Sequence, residues 1–381
     1  MSKFRRKVAP VIDKLKELIY PLFLLITVLL ILFAIPKITP FLEKAFIVPR
    51  FVWELVLNKE VELKKNDNAI NILLLGIAGG NHEGAMLTDT IIFAHLNPQT
   101  NNVVLVSIPR DLWIPILQSK INAAYEFGQQ KKPGGGLSLA KATVADILGQ
   151  DIQYAFRVDF SGFIRAVDQL GGIDIDVERS FDDYNYPIPG EENNLCGKSQ
   201  EETKIAIATI SAASTARLFE VFPCRVERLH FDKGQTHMDG QTGLKYVRSR
   251  QSEGAEGTDF ARSKRQQKLL VALKDKVFSA GVLLNPVKLI SLYQTLNKSI
   301  DTDIKTWEFD DFIKLARKME GAKIKTVVID QGDEEKNRAG ILVNPPASQY
   351  GAWVLVPRSG DFTEIQEHVR CEITTDNCPL K

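Results

Sequence analysis

Four arginines crowd one short stretch of a chain whose charges otherwise balance. YVRSRQSEGAEGTDFARSKRQQ, residues 246–267, carries Arg248, Arg250, Arg262 and Arg265. A guanidinium offers planar, paired donors that match the oxygens of a phosphate. The chemistry to look for is therefore recognition of a phosphate or diphosphate. At 3.6 residues per turn, Asp259, Arg262 and Gln266 share one helix face, and Arg265 points about 100° away. On a helix, Arg248 and Arg250 would diverge by about 200°, so they converge only on extended backbone. The glycines of GAEGT fit a helix that ends near Val247. A plainer account makes Asp259 an N-cap carboxylate with a solvated Arg262, worth a few tenths of a kcal/mol. It leaves the RSR pair unexplained.

Other candidates sit at strand ends. In VSIPRDLW, Arg110 follows a buried apolar run, the place where α/β sheets carry ligand-binding groups. Asp89 closes the glycine-containing GIAGGNHEGAMLTDT, while Asp111 reads as a helix or turn cap. His82 and Glu83 precede Asp89 in the same loop, and a lone histidine is more often incidental than a metal ligand. The sequence holds no GxxxxGK[ST], GxGxxG, HExxH or GxSxG, so nucleotide, zinc-protease and serine-hydrolase chemistry lack support.

The elements that must position these residues alternate. INILLLGI, DTIIFAHLNP and NVVLVS read as strands, SLAKATVADILG as a helix, AFRVD as a strand, FSGFIRAVDQLGG as a helix, and IDIDVE as a strand. DFARSKRQQKLLVALKDKVFS is a long amphipathic helix, KIKTVVID and AWVLVP are late strands, and DFTEIQEHVR is a last helix. The pattern predicts an α/β fold, a layered α-β-α domain with a mixed central sheet. FDDYNYPIPGEENN is rich in turn formers, and residues 181–228 are expected to be an inserted surface loop region.

Before the domain, residues 1–18 are basic and 19–36 almost entirely apolar, which predicts one transmembrane helix with the N-terminus cytoplasmic. A cleavable signal peptide is the rival, but no small-x-small cleavage site follows. Residues 37–66 read as a juxtamembrane connector and 67–381 as the extracytoplasmic domain. The 48 basic and 47 acidic residues lack the excess that nucleic-acid binding needs. Cys196, Cys224, Cys371 and Cys378 suit disulfides in an oxidising compartment, and the simplest of three pairings is 196–224 with 371–378. Metal binding and free thiols are the alternatives.

Taken in order, NILLLGI, LTDTIIFAHLNP, VVLVSIPRDLWI, KINAAYEFGQ, FSGFIRAVDQLGGIDIDV, MDGQTGLKYVRSR and DFARSKRQQ resemble the LytR–CpsA–Psr family of cell-envelope proteins. The resemblance implies a membrane-anchored phosphotransferase that moves a polysaccharide or teichoic-acid-like polymer from a polyprenyl-diphosphate carrier to peptidoglycan. It implies that Arg110, Arg248, Arg250, Arg262 and Gln266 bind the lipid phosphate, that Asp89, Arg110 and Asp259 serve catalysis, and that Asp89 and Asp259 attend a Mg²⁺ ion. Where the family often carries an aspartate after LLLG, this chain has Ala78, which removes an oxygen ligand of the kind that hard ion needs. A pyrophosphatase acting on the same lipid and a non-catalytic carrier-binding regulator are the rival functions.

Overall fold

In the first strand, β1 (Ile70–Ile77), the apolar residues Ile72–Leu75 run unbroken because both faces are covered. Leu73 and Leu75 are buried on one face, and Leu74 and Gly76 turn to the other. The computed structural model describes residues 62–381 except 81–83, 213–217, 253, 280–290, 293, 334–337, 376–377 and 379–381. The expected transmembrane span at 19–36, the connector up to 61, and His82 and Glu83 lie outside the described residues. Among the described residues no helix is long and apolar enough to cross a membrane.

After β1 come β2 (Thr88–Asn97) and β3 (Asn102–Ser107), then helices α1 (Ala124–Lys131) and α2 (Gly136–Leu148). Strand β4 (Tyr154–Asp159) runs directly into α3 (Phe160–Gln169). Next are β5 (Ile173–Val177), β6 (Phe181–Pro187), α4 (Gln200–Ala212), β7 (Val226–Phe231) and β8 (Gly234–Met238). Helices α5 (Gly240–Arg248) and α6 (Asp259–Ser279) follow. The larger remaining elements are β9 (Ile300–Thr302), α7 (Phe309–Lys318), β10 (Lys323–Val328) and α8 (Thr363–Thr374).

Six strands form the central sheet in the order β9-β4-β1-β2-β3-β10. It is mixed as expected: β1 runs parallel to β4 and β3 to β10, while the other neighbours are antiparallel. One face packs Leu73, Phe93 and Val106 against Val144 and Ile147 of α2 and Val369 of α8. The other face carries Ile92, Ala94 and Leu105, with Leu270 of α6 packed on them. Helices therefore cover both sides. A second core gathers Val167, Ile175, Phe231, Tyr246 and Leu269 where α3, the β5–β8 ladder, α5 and α6 meet.

Residues 181–228 are more regular than the turn-rich sequence suggested. Strands β6 and β7 pair antiparallel across them, and α4 lies between. The pairing shifts register between Asp183 and Tyr186, which breaks the alternation that would have marked a strand. AWVLVP gives only a two-residue strand, Val356–Pro357. Cys196 and Cys224 lie 5.6 Å apart at Cα, and Cys371 and Cys378 lie 5.8 Å apart, both within disulfide range.

Candidate active site

A cavity of about 690 Å³ lies between the second sheet face and helices α3, α5 and α6. Its floor is the alternate row of the buried strands, Leu74 and Gly76 of β1, Ile92 of β2, and Phe156 and Val158 of β4. Helix α3 lends Phe160, Phe163, Ala166 and Leu170 to its wall. Along α6 the lining passes from Arg262 and Gln266 to Leu269, Leu270, Leu273 and Val277. From Arg262 to Val277 the helix rises about 22 Å at 1.5 Å per residue. One end is charged and the rest is apolar.

At the charged end the structure brings together Asp89, Arg110, Arg248, Arg250, Arg262 and Gln266, all lining the one cavity. Arg110 leaves the end of β3 and forms an ion pair with Asp89. Its Nε lies 3.5 Å from Asp111 Oδ2 and has no hydrogen-bond partner. Burial opposes the charge on Arg110, but Asp89 and Asp111 outweigh it and raise the guanidinium pKa. Asp111 is buried and holds Lys120 at 2.7 Å, so it is an ion-pair partner rather than the expected cap.

Helix α5 ends at Arg248, and Ser249 is extended with ψ 129°, one residue beyond the expected stop. Asp183, fully buried on β6, latches this exit. It accepts from Ser249 Oγ at 2.7 Å and from the backbone N–H groups of Arg250 and Gln251, each at 3.1 Å. The latch turns both arginines of RSR to the cavity. Arg248 stacks over Phe160 at 4.4 Å and donates to the Tyr186 hydroxyl at 3.3 Å. Among the described residues no carboxylate lies within ion-pair distance of Arg248.

Asp259, the first residue of α6, shares one oxygen, Oδ1, between Arg250 at 3.2 Å and Arg262 at 3.0 Å. It is not the helix cap, because Thr258 Oγ1 accepts from the Ala261 N–H at 3.1 Å. Arg262 is only 7% exposed, and its buried Nε has no hydrogen-bond partner. Burial, opposed by Asp259 and reinforced by Arg250 and Arg110, lowers its pKa to about 10. A buried guanidinium with an unused donor is costly alone, and an anion at this spot would remove that cost. Arg265 points elsewhere, donating to the carbonyls of Tyr246 at 3.0 Å and Ser249 at 2.6 Å and so bracing the same exit.

Magnesium fits this donor set poorly. Asp89 is paired with Arg110 and Asp259 with two arginines, Ala78 offers no ligand, and the described residues hold no group of three His, Cys, Asp or Glu around a common point. No step is assigned to a metal.

Several groups at or beside the cavity were not singled out from sequence. Asp159 ends β4, and the rule that placed Arg110 just past a buried strand would have found it too. Tyr186 and Asp183 sit on the irregular β6, where no periodic signal survives. Gln267 is buried on α6 and donates at 2.9 Å to both Ser107 Oγ and the Val327 carbonyl. Beside Gln266 it was indistinguishable as a type.

The chain is 27% identical to the polyisoprenyl-teichoic acid–peptidoglycan teichoic acid transferase TagV of Bacillus subtilis over 72% of its own length and 60% of TagV's. It thus matches less than two thirds of that relative. It is 26% identical to the corresponding transferase TagU of Oceanobacillus iheyensis over 73% of this chain and 72% of TagU. The fold superposes on the crystal structure of B. subtilis TagV with a TM-score of 0.52 and 22% identity, covering 82% of this chain and all of that one. The sequence profile of the LytR_cpsA_psr family matches residues 54–350, and the chain belongs to that family.

Proposed function

We propose that the protein is a membrane-anchored glycopolymer ligase of the cell envelope, which moves a polymer from a polyprenyl-diphosphate carrier to peptidoglycan and leaves a phosphodiester. One observation carries this reading. Four arginines meet at the mouth of an apolar cavity, and one of them, Arg262, is buried with an unused donor. A free sugar phosphate has no use for the apolar length, and a plain lipid has no use for the arginines. A prenyl diphosphate uses both. The names of TagV and TagU support the polymer and the acceptor as a class.

In the proposed reaction the tail lies along α6, and Arg110, Arg248, Arg250 and Arg262 hold the diphosphate. Fixed donors of this kind stabilise charge that grows on the transferred and leaving oxygens. An acceptor hydroxyl attacks the phosphorus that bears the polymer, and polyprenyl phosphate departs. A magnesium ion carried in on the diphosphate would act only as its counter-ion. Residues 19–36 anchor the chain and 67–381 lie outside the cytoplasm, where the two cysteine pairs are oxidised.

Mass spectrometry of the detergent-extracted full chain tests the ligand, and a copurifying polyprenyl phosphate or diphosphate is the expected result. Incubation of a synthetic polyprenyl-diphosphate disaccharide with soluble peptidoglycan fragments tests the reaction. A conjugate is expected. Release of phosphate regardless of acceptor, with no conjugate, would make the protein a pyrophosphatase. Retention of the carrier without turnover would make it a binding protein.

A further inference from the structure

Asp159 stands at the cavity mouth and has no part in the steps above. It closes β4 in register with Ile77, the last residue of β1, whose partner on the other side is Thr88 of β2. Asp159 and Asp89 therefore flank the end of β1 about 10 Å apart at the backbone, two strand spacings. Both line the cavity alongside Arg110. The next residue, Phe160, carries the ring beneath Arg248.

Its two oxygens differ. Oδ1 accepts from the Gly162 N–H at 2.8 Å and from Ser161 Oγ at 2.7 Å, capping α3, and the Asp159 N–H donates to the Ser299 carbonyl at 3.0 Å. These bonds fix the carboxylate in place. Among the described residues nothing donates to Oδ2. Gly79 runs past with φ +73°, and a Cβ there would lie 2.8 Å from Asp159 Cβ, so bare backbone keeps that side clear. The other carboxylates of the site are committed: Asp89 to Arg110, Asp259 to Arg250 and Arg262, and Asp183 to the chain exit.

We propose that Asp159 is the general base of the transfer, an assignment that rests on the ligase reading. The acceptor's sugar hydroxyl gives its proton to Asp159 Oδ2 as its oxygen bonds to the polymer-bearing phosphorus. The bond from that phosphorus to the bridging oxygen breaks, and its electron pair leaves on polyprenyl phosphate. The reaction forms one O–P bond, breaks one, and parks one proton on the carboxyl.

The test uses the full-length protein and its Asp159→Asn and Asp159→Ser variants, since both side chains keep an acceptor for the Gly162 N–H. Donor is the synthetic polyprenyl-diphosphate disaccharide and acceptor the soluble peptidoglycan fragments. Expected is a loss of transfer rate of about a hundredfold or more, the range of a positioned base. Donor affinity and melting temperature should stay unchanged, and the acidic limb of the pH–rate profile should disappear. Transfer within a few-fold of wild type, or an acidic limb that persists, overturns the assignment to Asp159 alone. Equal losses of donor affinity or melting temperature in both variants make Asp159 a structural cap and overturn it as well. A wild-type protein that forms no conjugate sinks the ligase reading and the base with it.

Discussion

Arg262→Met should make the emptied protein more stable and less able to hold its ligand. The arginine is 7% exposed, and burial lowers its pKa from the ordinary guanidinium value to about 10. At about 1.4 kcal/mol per unit, that is about 3 kcal/mol set against the charged form in the fold. The sign follows from the direction. A base whose folded pKa lies below its unfolded one disfavours folding at every pH below about 10. The penalty fades only as pH rises from about 10 towards the unfolded value. The attraction of Asp259 is already included in that balance. Apolar replacement of buried ions commonly gains about 1–4 kcal/mol, so methionine, similar in length and uncharged, should recover much of the deficit. At about 2 °C per kcal/mol for a large domain, melting should rise by about 2–6 °C after lipid has been stripped. Thermal denaturation with and without farnesyl diphosphate is the assay. Wild type should gain stability with the ligand, and the variant should gain little. A variant more than about 1 kcal/mol less stable than wild type, or one that keeps the full ligand-dependent shift, refutes the reasoning.

Leu273→Trp fills the cavity beyond the arginines, so it should weaken a long-tailed prenyl diphosphate tenfold or more and leave inorganic pyrophosphate binding alone; calorimetry with both ligands decides. Asp183→Ala strips the acceptor from Ser249, Arg250 and Gln251, and urea denaturation should show a loss of about 3 kcal/mol. Burial lowers the pKa of His95, which sits 2.8 Å from Asn71 Oδ1. Because the neutral ring is favoured in the fold, stability should fall as pH drops below 6.5, and His95→Gln should flatten that limb.

Much of this arrangement is legible in residue order. Apolar runs mark β1, β2 and β3, and the 3.6-residue period alone separates Arg262 and Gln266 from Arg265. The spacing of Arg248 and Arg250 required extended backbone, and the helix stops at Arg248. A prenyl tail calls for an apolar tunnel between helix and sheet, but residue types alone do not distinguish that cavity from a packed core. Leu74, Ile92 and Phe156 are the residue types that a filled core would also use, and hydrophobicity does not record whether a partner side chain is present. The irregular β6 hid Asp183 and Tyr186, because a register shift erases alternation. The plainer account of Asp259 as a cap fails because Thr258 takes that role and Asp259 turns to Arg250 and Arg262.

Gln267 gives the hollow a fixed end and a loose one. Its amide spans from α6 to Ser107 and Val327, a polar strut that the helix would have to snap in order to settle onto the sheet. The strut stands one residue past Gln266, level with the arginines. Further along, towards Val277, the lining is hydrocarbon, which slides and repacks at small cost. If the proposed carrier binds here, its head group would be held to a tight tolerance while the accommodation for its tail stays elastic, and carriers of unequal chain length would share one rigid grip.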